Sequence, residues 1–229
     1  MQLIDITHGF YEGMPSYPAS WYPKFSLDRV MTPESDPAGT SRLFSQLHLF
    51  PHNGTHIETG RHFFPSGRTI DEVPLEVLFG RACVADLSHK QELDPIAADD
   101  LDKAVGEFWV PGDRLLIRTD YLHTHWGRED YWDRPPYLTS SAADWAVENG
   151  AVLVGLDCLT ERPGDLESPV HRTLLAADIP ILEYITDLHL VGASVVTLLA
   201  MPIKVADAEA APARAVVMVD ETPRPQVER

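Results

Sequence analysis

Basic residues are scarce in this 229-residue chain: 18 Lys and Arg stand against 35 Asp and Glu, a formal net charge of −17. A phosphate backbone or an anionic bilayer needs a clustered Lys/Arg surface, so neither nucleic acid nor membrane is an expected partner. Cysteine is nearly absent too, with only Cys83 in RACVADLS and Cys158 in VLVGLDCLT, both inside apolar segments. They read as buried thiols and not as a disulfide, which sets cytoplasmic localisation as the expectation. No run of twenty apolar residues occurs, and the start, MQLIDITHGFYEG, has no basic stretch leading into an apolar one. Neither a membrane span nor a signal peptide is expected. Glycine-rich phosphate cradles of the G-x-G-x-x-G or Walker type are missing, which argues against a nucleotide cofactor. A G-x-S-x-G elbow is missing as well, and neither cysteine has a local setting that would activate a thiolate.

What is present is enough apolar material, 44% of residues, to bury a full core, and one domain over residues 1–229 is expected. Strand-like runs lie at 2–7, 43–50, 81–88, 113–120, 151–157, 179–185, 194–205 and 214–220. Three helices are expected. One lies in IAADDLDKAVGEF, with acids at its start where the helix dipole favours them. Another lies in SSAADWAVENG, where Ser141 and Asp144 have capping-box spacing and Gly150 closes the end. The last begins at Ser168-Pro169 and runs through VHRTLLAAD. Strands outnumber helices, giving an α/β or α+β chain with a substantial mixed sheet. The 19 prolines gather in residues 14–37 and 134–136, read as ordered surface loops. The tail after Asp220, ETPRPQVER, is expected to fray or to pack on a neighbouring subunit.

The densest chemistry is H-N-G-T-H-I-E-T-G-R-H-F, His52 to Phe63, with three imidazoles and a carboxylate in eleven residues. Gly54 interrupts the His52/His56 pair, and Thr55, Ile57 and Thr59 favour extended backbone, so a bend followed by a short strand fits better than a helix. In a strand His56 and Glu58 project from one face, and a bend at Asn53-Gly54 swings His52 back beside them. Two imidazoles and a carboxylate then converge on one metal ion. His62, past Gly60, stands close by without being a ligand, free to move a proton.

These residues resemble the cyclase family of metal-dependent hydrolases, which includes bacterial kynurenine formamidase, isatin hydrolase and trans-dienelactone hydrolase. The family signature H-x-G-T-H-x-D-x-P-x-H-F is matched at His52, Gly54, Thr55, His56, His62 and Phe63. The likeness continues through SGRTIDEVPLEVLFGRACVADLS, GLDCLT, HRTLLAADIPILEYITDL and MPIKVADAEAAPARAVVMV, nearly the whole chain. The resemblance implies a swivelling β/β/α domain, an α/β fold with a mixed sheet core and a few flanking helices, assembled as a dimer or tetramer. It implies ligation by His52 and His56, with Glu58 bridging toward a second metal completed by His171 and Glu183. It makes His62 the acid/base, and it places Tyr17 beside the substrate. Two departures stand out: Glu58 replaces the signature Asp, adding one methylene, and Gly60 replaces the signature Pro, loosening the backbone before His62.

A divalent cation held by neutral imidazoles and a carboxylate lowers the pKa of bound water from about 15.7 to about 7 and polarises a carbonyl. With His62 as proton carrier, this is hydrolysis of a small amide, N-formyl, lactam or lactone substrate. Zinc and manganese both suit the donor set; one site is expected and a second is left open. The same residues would serve a metal-assisted cyclase or dehydratase, and a metal-stabilised binding protein is the non-enzyme alternative. Tyr11, Tyr17, Trp21, Tyr22 and Phe25 form either a pocket wall for a flat apolar substrate, with Trp21 and Phe63 beside Tyr17, or loop packing and a subunit interface. Asp157 either orients a ligand from behind or caps a turn. His123-Thr124-His125 reads as a further ligand pair on a strand or as a loop at the pocket rim. Glu183, inside the apolar run IPILEYI, needs a partner if buried, and a cation is a suitable one.

Overall fold

Among residues 1–219, which the computed structural model describes, the chain forms twelve strands and five helices. The tail after Asp220 lies outside them. The strands are β1 (Gln2–Asp5), β2 (Ser26–Met31), β3 (Phe44–His48), β4 (His56–Glu58), β5 (Phe79–Asp86), β6 (Pro95–Ile96), β7 (Arg114–Arg118), β8 (Tyr137–Leu138), β9 (Leu153–Leu156), β10 (Ile181–Glu183), β11 (Val195–Pro202) and β12 (Ala210–Val219). The helices are α1 (Leu75–Leu78), α2 (Ala98–Val105), α3 (Tyr121–His125), α4 (Ser140–Glu148) and α5 (Pro169–Ala176).

Eight strands make one mixed sheet in the order β1-β12-β11-β5-β7-β9-β10-β4, and β4 also pairs with β12. That second pairing closes a ring and makes the core barrel-like. Strands β5, β7, β9 and β10 run parallel to one another, whereas β1, β11, β12 and β4 join antiparallel. The period of two explains how one sheet serves two cores. On β7, Leu115 and Ile117 face Leu101, Val105, Ala142, Trp145, Leu174 and Leu175 of the flanking helices. Leu116 between them packs inside the ring with Ile57, Leu182, Leu198, Ala211 and Val217. Each such aliphatic side chain taken fully from water contributes about 1.5–3 kcal/mol. Both parities are apolar, which is why the central strands read as continuous hydrophobic runs.

The α/β class and mixed sheet expected from the sequence are found, and seven of the eight strand-like runs supply strands of the main sheet. The run at 43–50 behaves differently. Its core, β3, pairs only with β2 in a separate ribbon and is exposed throughout. β2 itself lies where proline-rich loop was expected, because SLDRVM carries no alternation to announce it. The capping box at Ser141 and Asp144 is also corrected: α4 starts two residues earlier, with Thr139 at the cap position and no side-chain capping bond. Gly150 does close that end, with φ of 70°.

Candidate metal centre

The site lies on the outer face of the closing strand, and local chemistry puts it there. Gly54 takes φ of 60°, a left-handed bend suited to glycine, which turns His52 back toward β4. Ile57 then points into the ring, and His56 and Glu58 project together from the other face, 0% and 1% exposed. β10 pairs antiparallel with β4, setting Glu183 opposite His56, and α5 carries His171 over both.

Two groups of donor atoms, each within 4.8 Å, result: His52, His56 and Glu58, and Glu58, His171 and Glu183. Glu58 belongs to both. Its Oε1 lies 2.8 Å from His171 Nε2 and its Oε2 3.3 Å from His52 Nδ1. Glu183 Oε2 lies 3.6 Å from His56 Nε2, and Oε1 lies 3.5 Å from His171 Nε2. The donors fit a cation: His56 Nε2 is buried without a hydrogen-bond partner and directed at the two carboxylates, which is costly unless something positive stands between them.

Each imidazole is also held from behind. His56 Nδ1 donates to the carbonyl of Gly54 at 3.0 Å, His171 Nδ1 to Glu161 Oε1 at 3.0 Å, and His52 Nε2 to Glu209 Oε1 at 3.2 Å. These bonds fix the tautomers and leave one nitrogen of each ring directed inward. Glu161 further accepts the backbone N–H of His171 at 2.8 Å, so it caps α5. Ser168 occupies the cap position, as expected, but its side chain makes no capping bond. Glu161→Gln is therefore expected to weaken metal affinity about 10- to 100-fold with little change in fold, measured by chelator competition.

Burial and the neighbouring charges pull the titratable groups of the cluster in different directions. Burial works against the charged rings, but Glu209 and Glu58 outweigh it at His52 and carry it up to about 9. His171 is likewise raised, burial being overcome by Glu58, Glu161 and Glu183. Burial opposes ionisation of Glu58, yet His171 and His52 hold its carboxyl well below the usual range. His56 is lowered by burial and by His52 beside it. In the metal-free chain the raised His52 pKa stabilises the fold below about 6.5, and that stability is lost as pH rises through about 9. A cation needs the neutral ring, so its affinity is expected to climb between pH 7 and 9, about tenfold per unit for each proton displaced. Isothermal titration in buffers of different ionisation heat would count those protons.

His62 sits on a single 3-10 turn, Gly60–His62, with its side chain 32% exposed and Nε2 3.7 Å from Glu58 Oε2. Burial lowers its pKa, and the neighbouring His52 and His171 add to this against the pull of Glu58. The loosening expected at Gly60 is not found. A Cβ at Gly60 would meet Gly67 Cα and Leu175 O at 3.3 Å, and one at Gly67 would lie 2.2 Å from Gly60 C. The two glycines press backbone on backbone, and Arg61 N bonds Arg68 O across the contact. Gly67→Ala is expected to cost about 1–3 kcal/mol and to displace His62, read as a lowered Tm with reduced turnover.

Above the cluster opens a cavity of about 450 Å³, walled by Tyr17, Trp21, Tyr22, Phe50, Phe63 and Trp132, with Glu58, His62 and His171 at its floor. Tyr17, Trp21 and Phe63 are thus brought to one cavity wall. The aromatic loop divides: Tyr22 lines the cavity and donates to the carbonyl of His52 at 2.6 Å, whereas Phe25 packs on Phe10 and Tyr11 receives the Trp126 indole N–H. Asp157 resolves as a turn cap, accepting from Thr119 N, Thr119 Oγ1 and Asp120 N at 2.6–3.0 Å. His123 and His125 sit on α3 and not on a strand; His125 stacks on Tyr121 while His123 turns to Asp187. Sequence reasoning missed Glu161, Glu209, Trp132 and Tyr184. Only Glu161 had a usable signal, following the apolar strand end GLDCLT at the carboxyl side of a parallel strand, where α/β sheets place ligands.

A barrel-like mixed sheet with a buried imidazole and carboxylate cluster on its outer face defines an α/β protein built around a metal-type centre. The family model described as putative cyclase matches residues 4–161. A kynurenine formamidase of Bacillus anthracis is 31% identical over 216 residues, 93% of this chain and 96% of that protein. A solved structure described as a potential metal-dependent hydrolase with cyclase activity superposes with a TM-score of 0.76 at 27% identity, covering 94% of this chain and 96% of its own. Isatin hydrolase A from Labrenzia aggregata, bound to benzyl benzoate, shares the fold with a TM-score of 0.83 at 20% identity, over 96% of this chain and 94% of its own. The chain belongs to the cyclase family.

Proposed function

We propose that this protein is a metal-dependent hydrolase cleaving the C–N bond of a small amide, N-formyl or lactam substrate, or a related lactone, in the manner of kynurenine formamidase. One observation carries the reading: Glu58 is shared by two His/carboxylate groups at the floor of an aromatic cavity, with His62 beside them and outside both groups. In this reading His52, His56, Glu58, His171 and Glu183 would hold zinc or manganese, as one ion or two. The cation would supply Lewis acidity and lower the pKa of water.

The chain's own residues do the rest. His62, its pKa lowered, is neutral at physiological pH; it takes a proton from the attacking water at Nε2 and returns it to the departing nitrogen or oxygen. Tyr17, Trp21, Phe63 and Trp132 sandwich a flat substrate and exclude water from the reacting carbonyl. Glu161 and Glu209 keep His171 and His52 in register, so the donors need no rearrangement as charge develops. The exposed ribbon of β2 and β3, presenting Val30, Phe44 and Leu47, supports assembly into a dimer or tetramer. Two buried, unpaired cysteines support a cytoplasmic setting, with residues 1–229 acting as one domain.

Metal-replete protein incubated with N-formylkynurenine should release formate and the free amine, and with isatin or simple lactones should yield a ring-opened acid one water heavier; chelation should stop the reaction. No turnover of any of them would overturn the reading. A product that has lost water would favour the cyclase or dehydratase alternative.

A further inference from the structure

A second cluster of metal-ligating side chains lies apart from the centre above and shares no residue with it: His123, Asp187 and His189. His123 projects from α3, just after the parallel strand β7, and the other two come from the turn that follows β10. Asp187 stands at φ of 56°, a left-handed conformation uncommon for a side-chain-bearing residue, at the start of the single 3-10 turn Leu188–Leu190. His123 Nδ1 lies 3.2 Å from Asp187 Oδ1, and the two imidazole rings are 4.2 Å apart between centroids at 45°. One donor atom from each residue falls within 4.8 Å of the others. Independently, His189 Nδ1 is buried without a hydrogen-bond partner, a cost that a plain His123–Asp187 ion pair leaves unrelieved.

We propose that His123, Asp187 and His189 form a separate binding site for a borderline transition-metal cation of the zinc class, which ties α3 to the turn after β10. Two imidazoles and one carboxylate select Zn²⁺, Co²⁺, Ni²⁺ or Cu²⁺ over Mg²⁺ and Ca²⁺, which prefer all-oxygen shells. His123 and Asp187 are partly exposed, at 47% and 37% of their side chains, so the site is reached from solvent and water fills the remaining positions. Its role is structural bracing. Trp126, the residue that ends α3, packs edge-on against Tyr184 and Trp132, and those two line the aromatic cavity. Tyr184 lies three residues before Asp187, so a cation joining His123 to Asp187 and His189 holds both sides of that wall.

Untagged protein carrying His52→Ala, His56→Ala and His171→Ala, which removes the imidazoles of both donor groups, separates this site from the other. Titrated with Zn²⁺ alone, it should bind one equivalent and gain thermal stability, and with Co²⁺ alone it should develop visible d–d absorption. Adding His123→Ala and His189→Ala should abolish all three signals. In the otherwise native chain that second pair should remove one equivalent of metal. Should the alanine pair not fold by circular dichroism, His123→Gln at its half-exposed position carries the same expectation, at least tenfold weaker Zn²⁺ binding in the His52→Ala, His56→Ala, His171→Ala background. Equal Zn²⁺ stoichiometry and affinity with and without these changes would overturn the proposal.

Discussion

Glu58→Gln is expected to lose metal and turnover together. The substitution preserves shape and removes only charge, so it isolates the electrostatic role. Both carboxylate oxygens face imidazoles, Oε1 toward His171 and Oε2 toward His52 and His62. With a neutral amide there, Glu183 is left as the one carboxylate of the two donor groups, facing three imidazoles. Removing one partner of a buried charge arrangement costs about 3–5 kcal/mol. If that falls on the metal-bound state, affinity drops by at least two orders of magnitude. Metal content after dialysis against a weak chelator, together with kcat/KM, reads both effects. Glu58→Asp restores the family's usual residue and should retain both metal and activity. Retention of metal and turnover by the Gln variant would remove Glu58 from the centre.

His62→Ala should separate the two properties. The ring lies 4.4 Å from that of His52 and 6.2 Å from that of His171, near the donor groups yet in neither. Its loss should leave metal content unchanged and reduce kcat by about 10²–10⁴, the usual contribution of a positioned acid/base. The acid limb of the pH–rate profile should change with it. In the parent that limb is expected below the ordinary imidazole value, since burial and the neighbouring rings lower the His62 pKa. Unchanged turnover would reject the role assigned to His62.

The donors differ in how visible they were. His52, His56, Glu58 and His62 share eleven residues, and the glycine at 54 with the extended stretch after it dictates their convergence through local geometry alone. His171 and Glu183 were reached through family resemblance, because nothing in HRTLLAAD or IPILEYI reports that β10 pairs with β4. Glu209 carried no signal, since a carboxylate that braces a ligand from a loop has no period and no fixed spacing, and Glu161 was marked only by its place after the strand end GLDCLT. The same limit hid β2, whose pairing with β3 is decided by backbone hydrogen bonds and not by an apolar stripe. It also hid the tight Gly60–Gly67 contact, where the expected slackness gives way to two backbones in direct touch. The core strands, by contrast, were plain, since burial on both faces forces an unbroken apolar run.

The closing strand β4 has a consequence for how this molecule comes into being. It is three residues long and is gripped on one side by Ile181–Glu183 and on the other by Ala210–Pro212. During synthesis His52, His56 and Glu58 leave the ribosome more than a hundred residues before the strands that flank them. The three side chains therefore stay unassembled until Ala210–Pro212 has been made, and the ring shuts only with the arrival of that last hairpin. A cation that needs all three would be captured no sooner.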